Sequence, residues 1–137
     1  MNNGYCLSFE IPTVDEYRYL RVAASLTARS EKAAAAGLPK TAVGVVVRHA
    51  GSLVGMGRAI GDGLFYQIVD IAVEPDHQGR GIGKAIVSSL IDKLRRIAPA
   101  EAYVSLIADG EAESLYAQYG FTPTAPASVG MAQWIGL

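Results

Sequence analysis

At 137 residues with a formal net charge of -1, the chain is long enough to bury the core of one domain and too short for two. Half of its residues are hydrophobic and 18% are charged. That balance excludes a disordered chain and gives no support to a general nucleic-acid or anionic-membrane binder.

The single cysteine, Cys6, allows neither an internal disulfide nor a multi-cysteine metal site. Near the start of an apolar strand, it is expected as a small buried hydrophobe. No metal is expected. No run approaches the roughly 18 apolar residues of a membrane span, and the first residues lack the basic-then-apolar pattern of a signal peptide. The expectation is a cytoplasmic protein without membrane or nucleic-acid partners.

Tyr5 to Ile11 reads as a first strand, ended by Pro12 and Thr13. Thr13 with Glu16 fits a capping box, and Val14, Tyr17, Leu20 and Ala24 follow at helical spacing. Ser30 to Ala36 predicts a short helix stopped by Gly37. Ala42 to His49 and Ser52 to Ile60 predict a hairpin about Ala50-Gly51, and Gly61-Asp62-Gly63 turns into a third strand, Leu64 to Glu74. Gly55 and Gly57 on the middle strand mark a bulge or the close approach of another group.

A helix follows from about Gly81 to Arg96, with Ile82, Ile86, Leu90, Leu94 and Ile97 on one face. Glu101 to Ala108 predicts a strand, Glu111 to Tyr119 a short helix, and Gly120 its C-terminal cap. A final strand is expected around Met131 to Ile135, beyond Pro123 and Pro126. The strand-helix-strand crossover between Leu64 and Ala108 makes part of the sheet parallel. The fold class is therefore α/β, in a single domain over residues 1–137.

The stretch from Tyr66 to Leu94 carries the chemistry: an apolar strand, a turn holding Gly79, Gly81 and Gly83, then a helix. A helix N-terminus offers unpaired N–H groups and partial positive charge, which suits a phosphate. A dinucleotide fingerprint counted from Gly79 and Gly81 meets Lys84 where its third glycine belongs. A Walker loop ending at Gly83-Lys84 meets Gln78 and Ala85 where Gly and Ser/Thr belong. Neither fits.

What remains is Q-x-x-G-x-G from Gln78 to Gly83, preceded by the strand I-V-D-I-A-V and followed downstream by L-Y-A-Q-Y-G-F, Leu115 to Phe121. Together these resemble the GNAT N-acetyltransferase superfamily over nearly the whole chain. The resemblance implies a mixed, mostly antiparallel sheet with one splayed parallel strand pair, flanked by helices. It implies acetyl-CoA as co-substrate. Backbone groups of Ile71, Ala72 and Val73 would hold the pantetheine arm. Those from Gln78 through Gly79, Arg80, Gly81, Ile82 and Gly83 to Lys84 would hold the pyrophosphate, with glycine permitting close approach.

It further implies direct transfer of the acetyl group to an amine. Tyr116 matches the family tyrosine and would protonate the leaving thiolate, a phenol near about 10 lying above a thiol near about 8.5. Asp70, in mid-strand near the splay, is the expected base. An ion pair with Arg58 on the neighbouring strand is an equal alternative, and Glu74 a lesser candidate for the base. Asp109 stands where many members have Asn, so its contact with the cofactor arm lacks the amide donor. His49 and His77 read as hairpin-end and loop residues. Met131 and Trp134 are expected in the core or a dimer interface.

The acceptor would be met by Tyr17, Arg29, Met56 and Tyr66, a set compatible with a small aromatic or hydrophobic amine. The ending from Phe121 to Met131 also resembles that of arylalkylamine acetyltransferases of the plant type. A homodimer is expected, as is common in the family. The competing expectation is a catalytically idle acyl-CoA-binding sensor or interaction module on the same fold.

Overall fold

The computed structural model describes residues 3–136. The chain packs as two compact units, one ending at Leu106 and the other beginning at Ile107. The first holds five strands, β1 (Tyr5–Ser8), β2 (Val43–His49), β3 (Ser52–Gly61), β4 (Phe65–Val73) and β5 (Tyr103–Ser105). It also holds three helices, α1 (Val14–Ala23), α2 (Glu31–Gly37) and α3 (Ile82–Ile97). The strands lie in sequence order, antiparallel from β1 to β4, with β5 parallel to β4 across the α3 crossover. Among the described residues no helix is long and apolar enough to cross a membrane.

Local chemistry sets the boundaries. Ala50 and Gly51, both at positive φ (51° and 82°), make the tight β2–β3 turn. The Asp62 carboxylate accepts from the N–H groups of Leu64 and Phe65, fixing the next turn. Thr13 and Glu16 form the expected capping box, and Glu16 also receives Arg48 from β2 at 2.6 Å.

The sheet is covered on both faces. Tyr17, Leu20, Ala34 and Leu38 from the α1–α2 side pack with Val46, Met56 and Ala72. On the other face α3 presents Ile82, Ile86, Val87, Leu90, Ile91 and Leu94. Gly55 and Gly57 let it come close, because a Cβ on Gly57 would lie 2.5 Å from Ile86 Cγ2. Gly57 also stands opposite a bulge in β4, so both expectations for these glycines hold.

Several expectations change. β1 stops at Ser8 rather than Ile11. Cys6 is exposed rather than buried: β1 is an edge strand, and the partly buried positions flanking Cys6 are Tyr5 and Leu7. Ile97 lies beyond the buried stripe of α3 and is half exposed. β5 spans three residues, with Glu101 at φ 76° just before it.

In the second unit, α4 (Ala112–Ala117) is followed by Gly120 at φ 90°, where the chain leaves the helix. Met131 to Ile135 forms no strand. A strand needs a neighbour for its backbone groups, and here none pairs with it; Met131 and Ile135 are 90% and 87% exposed. They are not core residues.

Candidate active site

β4 builds the site. Its register with β5 covers only Phe65, Tyr66 and Gln67, yet β4 continues to Val73. The ladder ends there, with the end of β5 at Ser105, and the edge of β4 past Gln67 has no β5 partner.

Within that stretch the register against β3 slips, so that Asp70 and Ile71 together oppose Gly57. Asp70 takes φ 59°, a left-handed conformation unusual for a strand residue. The bulge puts Ile71 against Gly57 on the α3 face and turns the Asp70 carboxylate towards α1. There it is nearly buried and meets three donors: Arg21 Nη1 at 2.6 Å, Arg58 Nε at 2.9 Å and the Tyr17 hydroxyl at 3.0 Å. The ion pair with Arg58 weighed from the sequence is therefore formed. Arg21 is a partner the sequence reading missed, although it stands one helical turn beyond Tyr17 on the same buried face of α1.

The end of β4 leads through a short 3-10 turn, Pro75–His77, into the glycine segment. Gly79 and Gly81 have φ of 77° and 83°, which only glycine adopts without cost. Gly81 is the N-cap of α3 and no side chain caps the helix, so the first N–H groups of α3 have no intrahelical acceptor. Added Cβ atoms at Gly79, Gly81 and Gly83 would meet no protein atom within 4 Å. Gly83 therefore answers neither a packing demand nor a positive φ.

A cleft of about 280 Å³ opens between these elements, lined by Ile71, Ala72 and Val73 of β4 and by Gln78, Gly79, Gly81, Ile82 and Gly83, with His77 and Ala24. Eight of the expected cofactor residues are thus gathered around one space. Arg80 and Lys84 are not in its lining. Gln78 donates from Nε2 to the Val73 carbonyl at 3.1 Å, tying the turn to the strand end. Beside the cleft, Tyr5 Oη lies 2.7 Å from His77 Nδ1, and the His49 ring packs 4.8 Å from that of Tyr5. No local pattern marks this cluster, since its members come from three distant segments.

A second cavity, about 190 Å³, lies under α1 and α2 and is lined by Tyr17, Arg29, Ala33, Ala34, Gly37, Leu38 and Arg58. Two of the expected acceptor residues, Tyr17 and Arg29, line it. The other two do not: Met56 is wholly enclosed in the core and Tyr66 is nearly so. Burial raises the Tyr17 phenol above its ordinary value, and the Asp70 charge adds to this.

In the second unit Tyr116 is buried, with its ring edge-on to Phe121 at 6.1 Å. Burial is the main cause, and the Asp109 charge the second, of a phenol pKa raised above the usual value. Asp109 itself is exposed, and its carbonyl accepts the Ala112 N–H at the start of α4.

Comparison with known proteins agrees with this arrangement. Residues 13–135 match the acetyltransferase (GNAT) domain. A protein of unknown function from Staphylococcus aureus, described as a probable acetyltransferase, is 39% identical with a TM-score of 0.90, over 95% of this chain and 98% of that one. The chloroplastic serotonin N-acetyltransferase 2 of rice is 37% identical over 61% of this chain and 41% of that protein. GCN5-related N-acetyltransferase 2 of Arabidopsis thaliana, also chloroplastic, is 37% identical over 50% of this chain and 26% of that protein. The chain thus spans less than half the length of these two curated relatives. From its sequence match and its fold, the chain belongs to the GNAT acetyltransferase family.

Proposed function

We propose that the protein transfers the acetyl group of acetyl-CoA to a primary amine of a small molecule. The observation that carries this reading is the open cleft where the unpartnered edge of β4 meets the uncapped N-terminus of α3. An extended amide-bearing chain matches the first of these and a pyrophosphate the second. Acetyl-CoA supplies an activated thioester, and the protein's part is to hold it and manage protons. The amine nitrogen attacks the carbonyl carbon, the C–S bond breaks, and the acetyl group leaves as an amide. The nitrogen loses one proton and the thiolate gains one.

Tyr116 is the donor to the thiolate in this proposal. It matches the family tyrosine, and its raised pKa keeps the phenol protonated at neutral pH. Asp70 is a weak candidate for the amine's base, because both of its oxygens are already engaged by Arg21, Arg58 and Tyr17. Its role here is to hold the bulge. Glu74 directly follows the cleft residue Val73 and accepts the Tyr19 hydroxyl at 3.3 Å. It is the better-placed carboxylate.

The rice relative's name supports an arylalkylamine as the first acceptor to try. A homodimer belongs to the same proposal: Val129, Met131, Trp134 and Ile135 form an exposed apolar stretch of the kind buried between subunits. Light scattering would read a mass of one chain if that part is wrong.

The test is thermal shift with acetyl-CoA, followed by thiol release over an amine panel. Stabilisation with turnover supports the proposal. Stabilisation without turnover on any amine supports the idle acyl-CoA-binding module instead. No stabilisation at saturating acetyl-CoA overturns both.

A further inference from the structure

The three rings beside the cleft at the end of β4 have no part in the acetyl transfer as proposed above. We infer that His77 is a further donor-binding residue: Tyr5 and His49 hold its imidazole so that Nε2 donates a hydrogen bond to the pyrophosphate of acetyl-CoA. This rests on the acetyltransferase reading and adds a side-chain contact to the backbone N–H groups already assigned to that ligand.

The lining of the cleft is almost without charge. Only His77 and Gln78 among its residues carry polar side-chain atoms, and none is acidic. Gln78 Nε2 is engaged by the Val73 carbonyl at 3.1 Å. Arg80 and Lys84 lie outside the lining. His77 is therefore the one side chain of the lining, among the described residues, that can carry positive charge where a pyrophosphate brings negative charge. The uncapped N-terminus of α3 supplies only roughly half a charge by itself.

The imidazole is set before any ligand arrives. Tyr5 and His49 stand opposite each other in the β1–β2 ladder, and their rings pack at 4.8 Å. The His77 ring meets that of Tyr5 edge-on at 5.6 Å and that of His49 at 5.2 Å. Its backbone N–H donates to the Glu74 carbonyl at 2.9 Å, closing the turn that carries it. Tyr5 Oη lies 2.7 Å from His77 Nδ1 and has no other hydrogen-bond partner among the described residues. The phenol proton therefore goes to Nδ1, which places the ring proton on Nε2. When the ring takes a second proton, Nδ1–H donates to Tyr5 Oη instead and Nε2 keeps its own. Nε2 is a donor in both forms. No buried side-chain nitrogen among the described residues lacks a partner, and Nε2 has none within the protein. It is thus accessible, on a residue that lines the cleft. A donor fixed in advance loses little entropy on binding, and a hydrogen bond to an anion is among the stronger kinds.

The first arm follows the histidine ring nitrogens of the full chain by NMR. Without ligand, His77 should show the tautomer protonated on Nε2, and Tyr5→Phe should mix the two tautomers. Inorganic pyrophosphate should then move the Nε2–H signal saturably, against sodium chloride at equal ionic strength. A shift no larger than that with chloride would overturn the contact, and an unchanged tautomer in Tyr5→Phe would overturn the positioning role of Tyr5.

The second arm measures Kd for CoA and for dephospho-CoA, which keeps the pyrophosphate and lacks the 3′-phosphate. His77→Ala should weaken both by about tenfold. His77→Gln, which restores a side-chain N–H donor, should recover part of that loss, and Tyr5→Phe should cost a smaller factor. Equal affinities in parent and His77→Ala would overturn the proposal. A loss with CoA alone would do the same, by moving the contact to the 3′-phosphate. Turnover on the amine panel with an unresponsive His77 leaves the acetyltransferase reading standing and removes this contact. Absence of both stabilisation and turnover with acetyl-CoA overturns that reading, while the pyrophosphate titration still decides whether His77 binds the anion.

Discussion

Asp70 concentrates the physics of the site in one residue. Its backbone occupies the left-handed region at φ 59°, and its carboxylate is clasped between Arg21 and Arg58 at 2.6 and 2.9 Å. Asp and Asn tolerate that backbone better than other non-glycine residues. Asp70→Asn therefore isolates the charge, and Asp70→Ala removes charge and backbone tolerance together. Leaving two buried guanidiniums without their counterion should cost about 3–5 kcal/mol, and alanine about 1 kcal/mol more. Urea unfolding of the two variants checks both values. If Asp70 were also the base, Asp70→Asn would abolish turnover even under conditions where the variant is folded. Tyr116 gives a pH expectation with a definite sign. Its pKa is raised above 10.0, so the acid form persists through neutral and mildly alkaline pH. Its stabilising contribution is whole below the unfolded phenol value of about 10 and is lost only as pH rises through the higher folded value. Turnover limited by this acid should fall on that same alkaline side. In Tyr116→Phe, kcat should drop by about 10²-fold or more and lose this alkaline limb.

At the scale of elements, the capping box at the start of α1 is joined to β2 through Glu16 and Arg48. The Arg48 hydrogen bond is the chief reason that the Glu16 carboxyl is lowered from 4.5 to about 2. A depressed carboxylate contributes stability that is whole above its unfolded value and disappears as pH falls through the folded one. Glu16→Gln preserves the capping acceptor but not the charge. It should cost on the order of 1 kcal/mol at neutral pH. It should also flatten the urea midpoint between about pH 5 and pH 2, where the parent loses this contribution. The elements also show what could be read without coordinates. The α3 stripe, the capping box and the two hairpin turns are encoded by residues close in sequence, and they stand nearly as expected. Arg21 escaped because a buried arginine on an apolar helix face has meaning only when its partner on β4 is known. Cys6 and the segment from Met131 to Ile135 escaped for a related reason: burial of an edge strand, or pairing of a last one, depends on neighbours that local pattern does not specify. The cleft at the end of β4 was legible because one continuous stretch, Ile71 to Gly83, supplies nearly all of it. The second cavity was not, since α1, the loop before α2, α2 itself and β3 each supply part.

For the molecule as a whole, the proposed donor binding sets a demand at Gly83 opposite to that of stability. This glycine has no positive φ to justify it, and among the described residues no atom beyond its chain neighbours and its own helix backbone lies within 4 Å of where its Cβ would be. In the first turn of α3 a glycine weakens the helix by up to about 1 kcal/mol relative to a good helix former. The fold alone would favour replacing it. Gly83→Leu should therefore leave the unliganded protein as stable as the parent or slightly more so. Yet Gly83 lines the cleft, and a leucine there would occupy space that the donor's phosphates need. In the parent, acetyl-CoA at about a hundred times its Kd should stabilise the fold by about 2.7 kcal/mol, a Tm rise of roughly 10 °C for a chain of this size. In Gly83→Leu that rise should shrink to a small fraction while the unliganded Tm stays level or climbs. A matching fall in the unliganded Tm would assign Gly83 a structural role, and an undiminished shift with acetyl-CoA would move the donor's phosphates away from α3. Opposite signs for stability and binding at one residue are the mark of a glycine kept for its ligand.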